Sequence, residues 1–163
     1  MRNKIICGFL VLPFIVLACS PKKEEKSKSE GQQVNEYPDL VLTFENGQQL
    51  SAKRLRGNNV FVLFQPDCDH CQQEAIHIEQ HLEEFKDYNL YFISSSSMQQ
   101  IIAFAENFNL KNKKNVKFTW TSTEGVLNHY GAIQTPSVYI YSDGRLKHSF
   151  NGQTDIESIL SAL

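Results

Sequence analysis

Two cysteines separated by two residues carry the clearest chemistry in this sequence. Cys68 and Cys71 follow an apolar run, residues 60–64, that is typical of a buried strand, and they precede a helical pattern. Cys68 is therefore expected at a helix N-terminus, where unpaired backbone N–H groups and the helix dipole favour a thiolate over a thiol. A thiolate with a second thiol one turn away can attack a disulfide and then be released by its neighbour. The motif predicts thiol–disulfide exchange.

The elements that must position this motif alternate along the chain. Three apolar runs predict core strands, at residues 60–64, 90–93 and 137–141. Three- and four-residue apolar spacing predicts a helix from Cys68 to about Phe85 and another over 98–108, with shorter helices at 123–130 and after Thr154 or Asp155. Parallel strands joined by helices, then an antiparallel pair, imply an α/β mixed sheet with helices on both faces.

The first eighteen residues have the pattern of a secretory signal. Arg2 and Lys4 precede an apolar run over residues 5–18, which is shorter than the about 20 residues that span a bilayer. The run ends in Leu17-Ala18-Cys19, which resembles the lipobox of bacterial lipoproteins. That resemblance implies a lipid on Cys19 and a location in the bacterial cell envelope, facing the periplasm or the exterior. An ordinary signal peptide with an incidental cysteine is the alternative.

The segment that follows is polar, and it sets the domain boundaries. Charged residues, serine and glutamine dominate it, so residues 19–37 are expected to form a disordered tether and residues 38–163 one folded domain. A net charge of −2 gives no sign of nucleic-acid binding. Without Cys7 and Cys19, only Cys68 and Cys71 remain in the domain. Export places this pair of cysteines where disulfides persist. A Cys68–Cys71 disulfide would close a very short loop and would stabilise the fold little, so a redox disulfide is expected.

Two motifs resemble the thioredoxin superfamily. One is Cys68-Asp69-His70-Cys71 after a strand, and the other is Gln134-Thr135-Pro136-Ser137 just before the strand at 137–141. The resemblance implies a thioredoxin-like fold in which Pro136 has a cis peptide bond and packs against the cysteines. It also implies that Thr135 and Pro136 shape a groove for an extended segment of the partner protein and block metal capture by the dithiol.

The order of elements is similar to that of the TlpA/ResA-like disulfide reductases, which are membrane-anchored. These proteins have an N-terminal β-hairpin, here residues 40–51, and a helix–strand insertion, here 98–120. They also have a glutamate three residues after the second cysteine, and Glu74 occupies that place. The resemblance implies that Glu74 helps to move the proton. A solvated carboxylate on the helix surface is the alternative interpretation of Glu74.

The residues around the cysteines depart from the reductase pattern. Asp67 replaces a usual tryptophan, and His70 replaces a frequent proline. An imidazole beside the thiolate stabilises the reduced form, as in strongly oxidising members, whereas Asp67 and Asp69 destabilise a thiolate. The direction of electron flow therefore stays open.

On this interpretation Cys68 is the attacking thiolate and Cys71 the less exposed resolving thiol, while Glu74 and His70 tune protonation. The expected partners are exported thiol or disulfide proteins and a membrane electron donor or acceptor. We expect a monomer, and no cofactor.

Four alternatives compete with disulfide reduction. Thioredoxin-fold copper-delivery proteins exist outside the cytoplasm but usually space their cysteines CxxxC, and a redox-inactive binding module is also compatible with the fold. A peroxiredoxin would need proline at position 61 and serine or threonine at position 65, where this chain has Phe61 and Gln65. A zinc site with His77 and His81 is disfavoured, because His77 would lie about 9 Å from Cys71 along a helix.

Overall fold

The structure is a computed structural model that describes residues 35–163. This part of the chain forms one seven-stranded mixed sheet and four α-helices. The strands are β1 (Val41–Thr43), β2 (Gln49–Ser51), β3 (Asn58–Leu63), β4 (Asn89–Ser94), β5 (Val116–Trp120), β6 (Ser137–Ser142) and β7 (Arg145–Asn151). The helices are α1 (Asp69–Gln80), α2 (Met98–Asn107), α3 (Thr123–Tyr130) and α4 (Ile156–Ser161), and a 3-10 turn spans Ala52–Arg54.

The sheet has the order β2-β1-β5-β4-β3-β6-β7. Strands β3, β4 and β5 are parallel, which requires the crossover helices α1 and α2 between them. Strand β6 lies antiparallel to β3, and β7 antiparallel to β6. The mixed sheet expected from the sequence is confirmed. Strand β3, an inner strand between β4 and β6, leads directly into the cysteine motif.

Alternation along β3 divides the core into two halves. Val60 and Val62 face a cluster that contains Cys71 and the apolar face of α1, together with residues from α2 and α4. Phe61 and Leu63 face a second cluster, against which α3 packs part of its surface. Helices therefore cover both faces of the sheet, as predicted.

The N-terminal β-hairpin and the helix–strand insertion are both present. Strands β1 and β2 pair antiparallel around a turn in which Gly47 has φ of +79°, a conformation that explains the Asn-Gly signal. In the insertion, α2 begins with a capping box made by Ser97 and Gln100, and β5 then pairs parallel to β4.

The first helix is shorter than predicted. Helix α1 ends at Gln80, and the chain continues to Tyr88 through turns with i to i+3 hydrogen bonds, such as Phe85 N–H to Leu82 O at 3.2 Å. Phe85 is nevertheless fully buried, so the apolar spacing that suggested a longer helix reflects burial of a turn.

The folded domain also begins earlier than position 38. Tyr37, which the sequence placed in the tether, is fully buried, and its hydroxyl accepts a hydrogen bond from the Asn59 side chain at 2.6 Å. The Asn35 side chain donates to the carbonyl of Lys53 at 2.7 Å. A single aromatic residue in a polar stretch gives no periodicity, which is why the sequence pattern missed this contact.

The predicted signal peptide (1–18), the lipidation site at Cys19 and the tether as far as residue 34 lie outside the described residues. Among the helices at 35–163, none combines the length and the apolar character of a bilayer span.

Candidate functional site: the Cys68–Cys71 dithiol

The loop between β3 and α1 presents Cys68 at the start of the helix. Cys68 is the N-cap residue of α1, and its Sγ accepts the backbone N–H of Cys71 at 3.3 Å. The loop is closed by the backbone bond from Cys68 N–H to Gln65 O, at 3.2 Å, and by the Gln72 side chain, which donates to Pro66 O at 3.1 Å. The expected place of the first cysteine, at a helix N-terminus, is confirmed.

The segment with Thr135 and Pro136 lies directly against Cys68. The Thr135–Pro136 peptide bond is cis, as the resemblance implied, and Pro136 is buried. The Cys68 Sγ–H donates to the carbonyl oxygen of Thr135 at 3.5 Å, although the two residues are 67 positions apart. Any segment that reaches Cys68 therefore also meets Thr135.

The two thiols are free and differ in their exposure. Cys68 is partly exposed, whereas Cys71 is 2% exposed. Burial raises the pKa of Cys71 to about 12, and its contact with Cys68 acts in the same direction. The Gln65 backbone and the Thr135 side chain lower the pKa of Cys71, but by less than burial raises it. Cys71 is thus a protonated, shielded thiol at neutral pH, and the predicted order of exposure is confirmed.

Glu74 lies on the buried face of α1, one turn after Cys71. It is 2% exposed, and neither of its carboxylate oxygens has a hydrogen-bond partner within residues 35–163. Burial raises the pKa of this carboxyl to about 7, and the negative charge of Asp155 at the start of α4 adds to the effect. The alternative of a solvated surface carboxylate is therefore wrong. A buried carboxyl that changes charge near neutral pH is suited to accept or release a proton.

His70, by contrast, is exposed on the first turn of α1, as is Asp69, and Asp67 is exposed in the loop just before Cys68. Charges in such positions are screened by water and salt, so their influence on the dithiol is weaker than that of buried groups. The role of His70 stays a prediction.

Two residues near the cysteines were not expected from the sequence. Gln65, considered only as a mismatch to the peroxiredoxin pattern, accepts the Cys68 N–H with its backbone carbonyl, and its backbone lowers the pKa of Cys71. Its side-chain oxygen accepts a hydrogen bond from Ser96 Oγ at 2.7 Å. Ser96 belongs to the run Ser94-Ser95-Ser96-Ser97 after β4. Since β3 and β4 are parallel neighbours, their carboxyl ends meet at one edge of the sheet. This rule predicts that Gln65 and Ser96, which follow the two strands, lie close together.

An apolar groove of about 340 Å³ begins at Thr135 and runs along α3. Its lining includes Ile133 before the cis proline, and Val126 and Leu127 of α3, with Ser95 on its wall. Leu127 is 51% exposed. The groove is therefore an apolar surface that reaches Thr135, the residue in contact with the Cys68 sulfur.

A family model and several solved structures match this chain. A family model described as the AhpC/TSA family matches residues 34–149. Comparison with curated protein sequences gives no significant match.

Three solved structures illustrate the fold similarity. MTB DsbF, in mixed oxidized and reduced forms, is 16% identical over 79% of this chain and 96% of its own, with a TM-score of 0.64. A secreted Mycobacterium tuberculosis disulfide oxidoreductase homologous to E. coli DsbE is 17% identical over 76% and 93%, with a TM-score of 0.62. Arabidopsis thaliana ScoI with copper bound is 16% identical over 77% and 93%, with a TM-score of 0.61. At such identities the likeness concerns the fold, and the expected fold class is confirmed.

Proposed function

Since the chain belongs to the AhpC/TSA family and has the thioredoxin-like fold that its motifs predicted, we propose that it is a thiol–disulfide oxidoreductase that reduces disulfides of exported proteins. One observation carries the proposal: a partly exposed thiol at a helix N-terminus touches the Thr135 carbonyl, while a second thiol is buried directly behind it. This arrangement separates an attacking sulfur from a resolving sulfur.

The reaction has two exchange steps. The Cys68 thiolate attacks one sulfur of the partner's disulfide, so that a Cys68–partner bond forms and the other partner sulfur leaves as a thiolate. The Cys71 thiolate then attacks Cys68 Sγ. The Cys68–Cys71 bond forms, the second partner sulfur leaves with its electron pair, and both partner thiolates take up protons. The partner gains two electrons, which a membrane electron donor must return to the dithiol.

The second step needs Cys71 to lose its proton, and Glu74, buried on the same helix one turn later, has suitable chemistry. The Cys71 pKa of about 12 leaves little thiolate at neutral pH, whereas the Glu74 carboxyl, with a pKa of about 7, is substantially ionised there. Glu74 lies three positions after Cys71 on one helix face, and because its oxygens have no hydrogen-bond partner within residues 35–163, the proton would move between them through an intervening water molecule.

The groove beside Cys68 supports a polypeptide partner. It has apolar walls contributed by Val126, Leu127 and Ile133, and it is joined to the site at Thr135. A partner whose cysteine is near an apolar side chain would bury that side chain here.

Lipid anchoring of Cys19 in the cell envelope is part of the same proposal and rests on the sequence pattern. It is tested by intact-mass analysis of the protein from membranes. A diacylglycerol modification that disappears in Cys19→Ser, with release of the protein from the membrane fraction, is expected. Unmodified Cys19 in a membrane-free protein would overturn the anchor but not the redox chemistry.

Copper delivery is a second candidate, favoured by the fold similarity to ScoI with copper bound. Here copper would be cargo held by the two sulfurs. Within residues 35–163, no group of three or more His, Cys, Asp or Glu side chains is arranged to hold a metal ion. Equilibrium dialysis of the reduced protein against Cu(I) measures this directly, and stoichiometric binding that Cys68→Ser abolishes would favour delivery.

The decisive experiment is turnover of a protein disulfide. Purified full-length protein with dithiothreitol should accelerate insulin reduction, Cys68→Ser should abolish the acceleration, and Glu83→Gln, an exposed change outside the site, should leave it intact. Peroxide reduction is not expected, because Phe61 and Gln65 stand where that chemistry needs proline and a hydroxyl residue. If insulin reduction does not exceed that of dithiothreitol alone, a redox-inactive binding module is favoured.

A further inference from the structure

The edge of the sheet that carries the dithiol has charges of one sign. Strands β3, β4 and β5 end at this edge, and so does β7, because it is antiparallel to β6 and therefore runs in the same direction as β3. Five segments form the dithiol edge: residues 64–73, 95–99, 121–127, 131–136 and 152–158. They contain no lysine or arginine. They carry five exposed carboxylates, which are Asp67, Asp69, Glu124, Asp155 and Glu157.

These five carboxylates also lack basic partners. In the part of the chain that the structure describes, none of them forms an ion pair, whereas four carboxylates outside the dithiol edge do, namely Glu45, Glu79, Glu84 and Glu106. Seven lysine and arginine residues lie just before β4, β5 or β7 or in the first half of β5 or β7, toward the opposite edge of the sheet. His70 is the one side chain of the dithiol edge that can carry positive charge, and only when it is protonated. The dithiol edge is therefore anionic at neutral pH.

The apolar groove beside Cys68 opens onto this anionic surface. Glu124 lies in α3 between Thr123 and Val126, and both of these neighbours line the groove. Asp67 follows another lining residue, Gln65, by two positions. A segment that fills the groove therefore has carboxylates close to it.

The carboxylates lie on both sides of the reactive sulfur. Strands β5 and β7 are each two positions from β3 in the sheet, which corresponds to about 10 Å at about 4.8 Å per strand. Glu124, which follows β5, is thus on one side of Cys68, and Asp155 and Glu157, which follow β7, are on the other. Charges at such distances still interact when the salt concentration is low.

We propose that the groove and the dithiol edge bind a partner protein whose reactive cysteine has an apolar residue beside it and lysine or arginine residues on both sides. The inference rests on the proposed disulfide exchange and names the class of its protein substrate. The groove covers the apolar side chain, and the basic side chains lie opposite the carboxylates of the dithiol edge. Charges at the rim of an interface mainly increase the rate of association, so the preference is strongest at low salt.

A purely structural role of the carboxylates gives a different expectation. Asp69, Glu124 and Glu157 lie in the first turns of helices, where negative charge stabilises the helix. That role predicts a loss of stability when they are replaced, but it predicts no dependence of the exchange rate on the charge of the partner. The dependence on partner charge is therefore the informative measurement.

The test uses three synthetic peptides in which a single cysteine is bonded to TNB. They share their length and a leucine beside the cysteine, and the flanking residues are lysine, serine or glutamate. The protein is the reduced full chain with Cys7 and Cys19 replaced by serine. When Cys68 attacks the peptide sulfur, the Cys68–peptide bond forms and TNB leaves as a coloured thiolate, so stopped-flow absorbance gives the second-order rate constant.

The lysine peptide should react fastest. At an ionic strength of about 0.01 M, where the Debye length is about 30 Å, it should react about 10-fold faster than the glutamate peptide, with the serine peptide between them. At about 1 M, where the Debye length is about 3 Å, the three rate constants should converge.

Two charge reversals locate the effect. Glu124→Lys should lower the ratio of the lysine-peptide rate to the glutamate-peptide rate by about 3- to 10-fold at low salt. Both rates come from the same protein, so their ratio cancels any change in the reactivity of Cys68 or in the folded fraction. Glu83→Lys is the matched control, because it makes the same change of net charge in the exposed turns before β4 and should leave the ratio near that of the parent.

Equal rates for the three peptides at low salt, or a faster glutamate peptide, would overturn the inference while the exchange chemistry stands, since TNB is still released. An equal fall of the ratio in Glu83→Lys would also overturn it, because the preference would then reflect the net charge of the whole protein. If no peptide releases TNB faster with the parent than with its Cys68→Ser variant, the proposed function fails together with the inference.

Discussion

The buried carboxyl of Glu74 should make the stability of this protein fall as the pH rises through neutrality. Its pKa is about 7 in the folded protein against an ordinary value of 4.5. Between these values the folded state binds one proton that the unfolded state has released, so the free energy of unfolding decreases with pH. The full difference is worth about 3 kcal/mol, since each pKa unit corresponds to about 1.4 kcal/mol. Because Glu74 is 2% exposed, solvent screening reduces this figure little.

Replacement of Glu74 by glutamine should remove this dependence. The introduced amide is also buried without a partner, but its cost does not vary with pH, so the slope is the informative quantity rather than the absolute stability. Between pH 5 and pH 8.5, titration of Glu74 should lower the unfolding free energy of the wild-type protein by about 2–3 kcal/mol. This decrease should be absent in Glu74→Gln.

Urea unfolding of the reduced protein at pH 5, 6, 7 and 8.5 measures the effect, with Glu83→Gln as the control. Glu83 is exposed in the turns after α1, so its replacement should leave the slope as in wild type. Parallel stability curves for wild type and Glu74→Gln would refute the reasoning, because they would mean that the Glu74 carboxyl is solvated in the folded state.

Four further outcomes follow from the same contacts. Cys71→Ser should accumulate a mixed disulfide with partner proteins, visible on non-reducing gels. If Cys68→Ser accumulates the mixed disulfide instead, Cys71 is the attacking thiol and Cys68 the resolving one. Leu127→Asp should lower kcat/KM for a protein disulfide about fivefold, while the rate with DTNB stays unchanged. The factor corresponds to the about 1 kcal/mol that the partner gains by covering the exposed half of the Leu127 side chain. Asp155→Asn keeps a good helix cap but removes the charge that helps to raise the pKa of Glu74, so the pH at which stability falls should move downward in urea titrations. Phe64→Ala should destabilise the domain by about 3–5 kcal/mol, since this fully buried ring packs against several other aromatic rings, and a change below 1 kcal/mol would contradict that packing.

The sequence predicted the strands better than the ends of the helices. The apolar runs at 60–64 and 137–141 became β3 and β6, because such runs can be buried only inside a sheet covered on both faces. The end of α1 was misplaced, since Phe85 is buried whether it lies in a helix or in a turn. Periodicity records which residues are buried and does not distinguish these two backbones.

The amino-acid sequence by itself determined the chemistry available here: two thiols at the start of a helix, a proline before a core strand, and a carboxyl one turn beyond the second thiol. These features follow from the spacing of residues along the chain. Tertiary structure alone decided the environment of each group, because burial and hydrogen bonding depend on elements far apart in the chain. It placed Thr135 on Cys68, enclosed Glu74 near the start of α4, and brought Ser96 to Gln65 across two parallel strands.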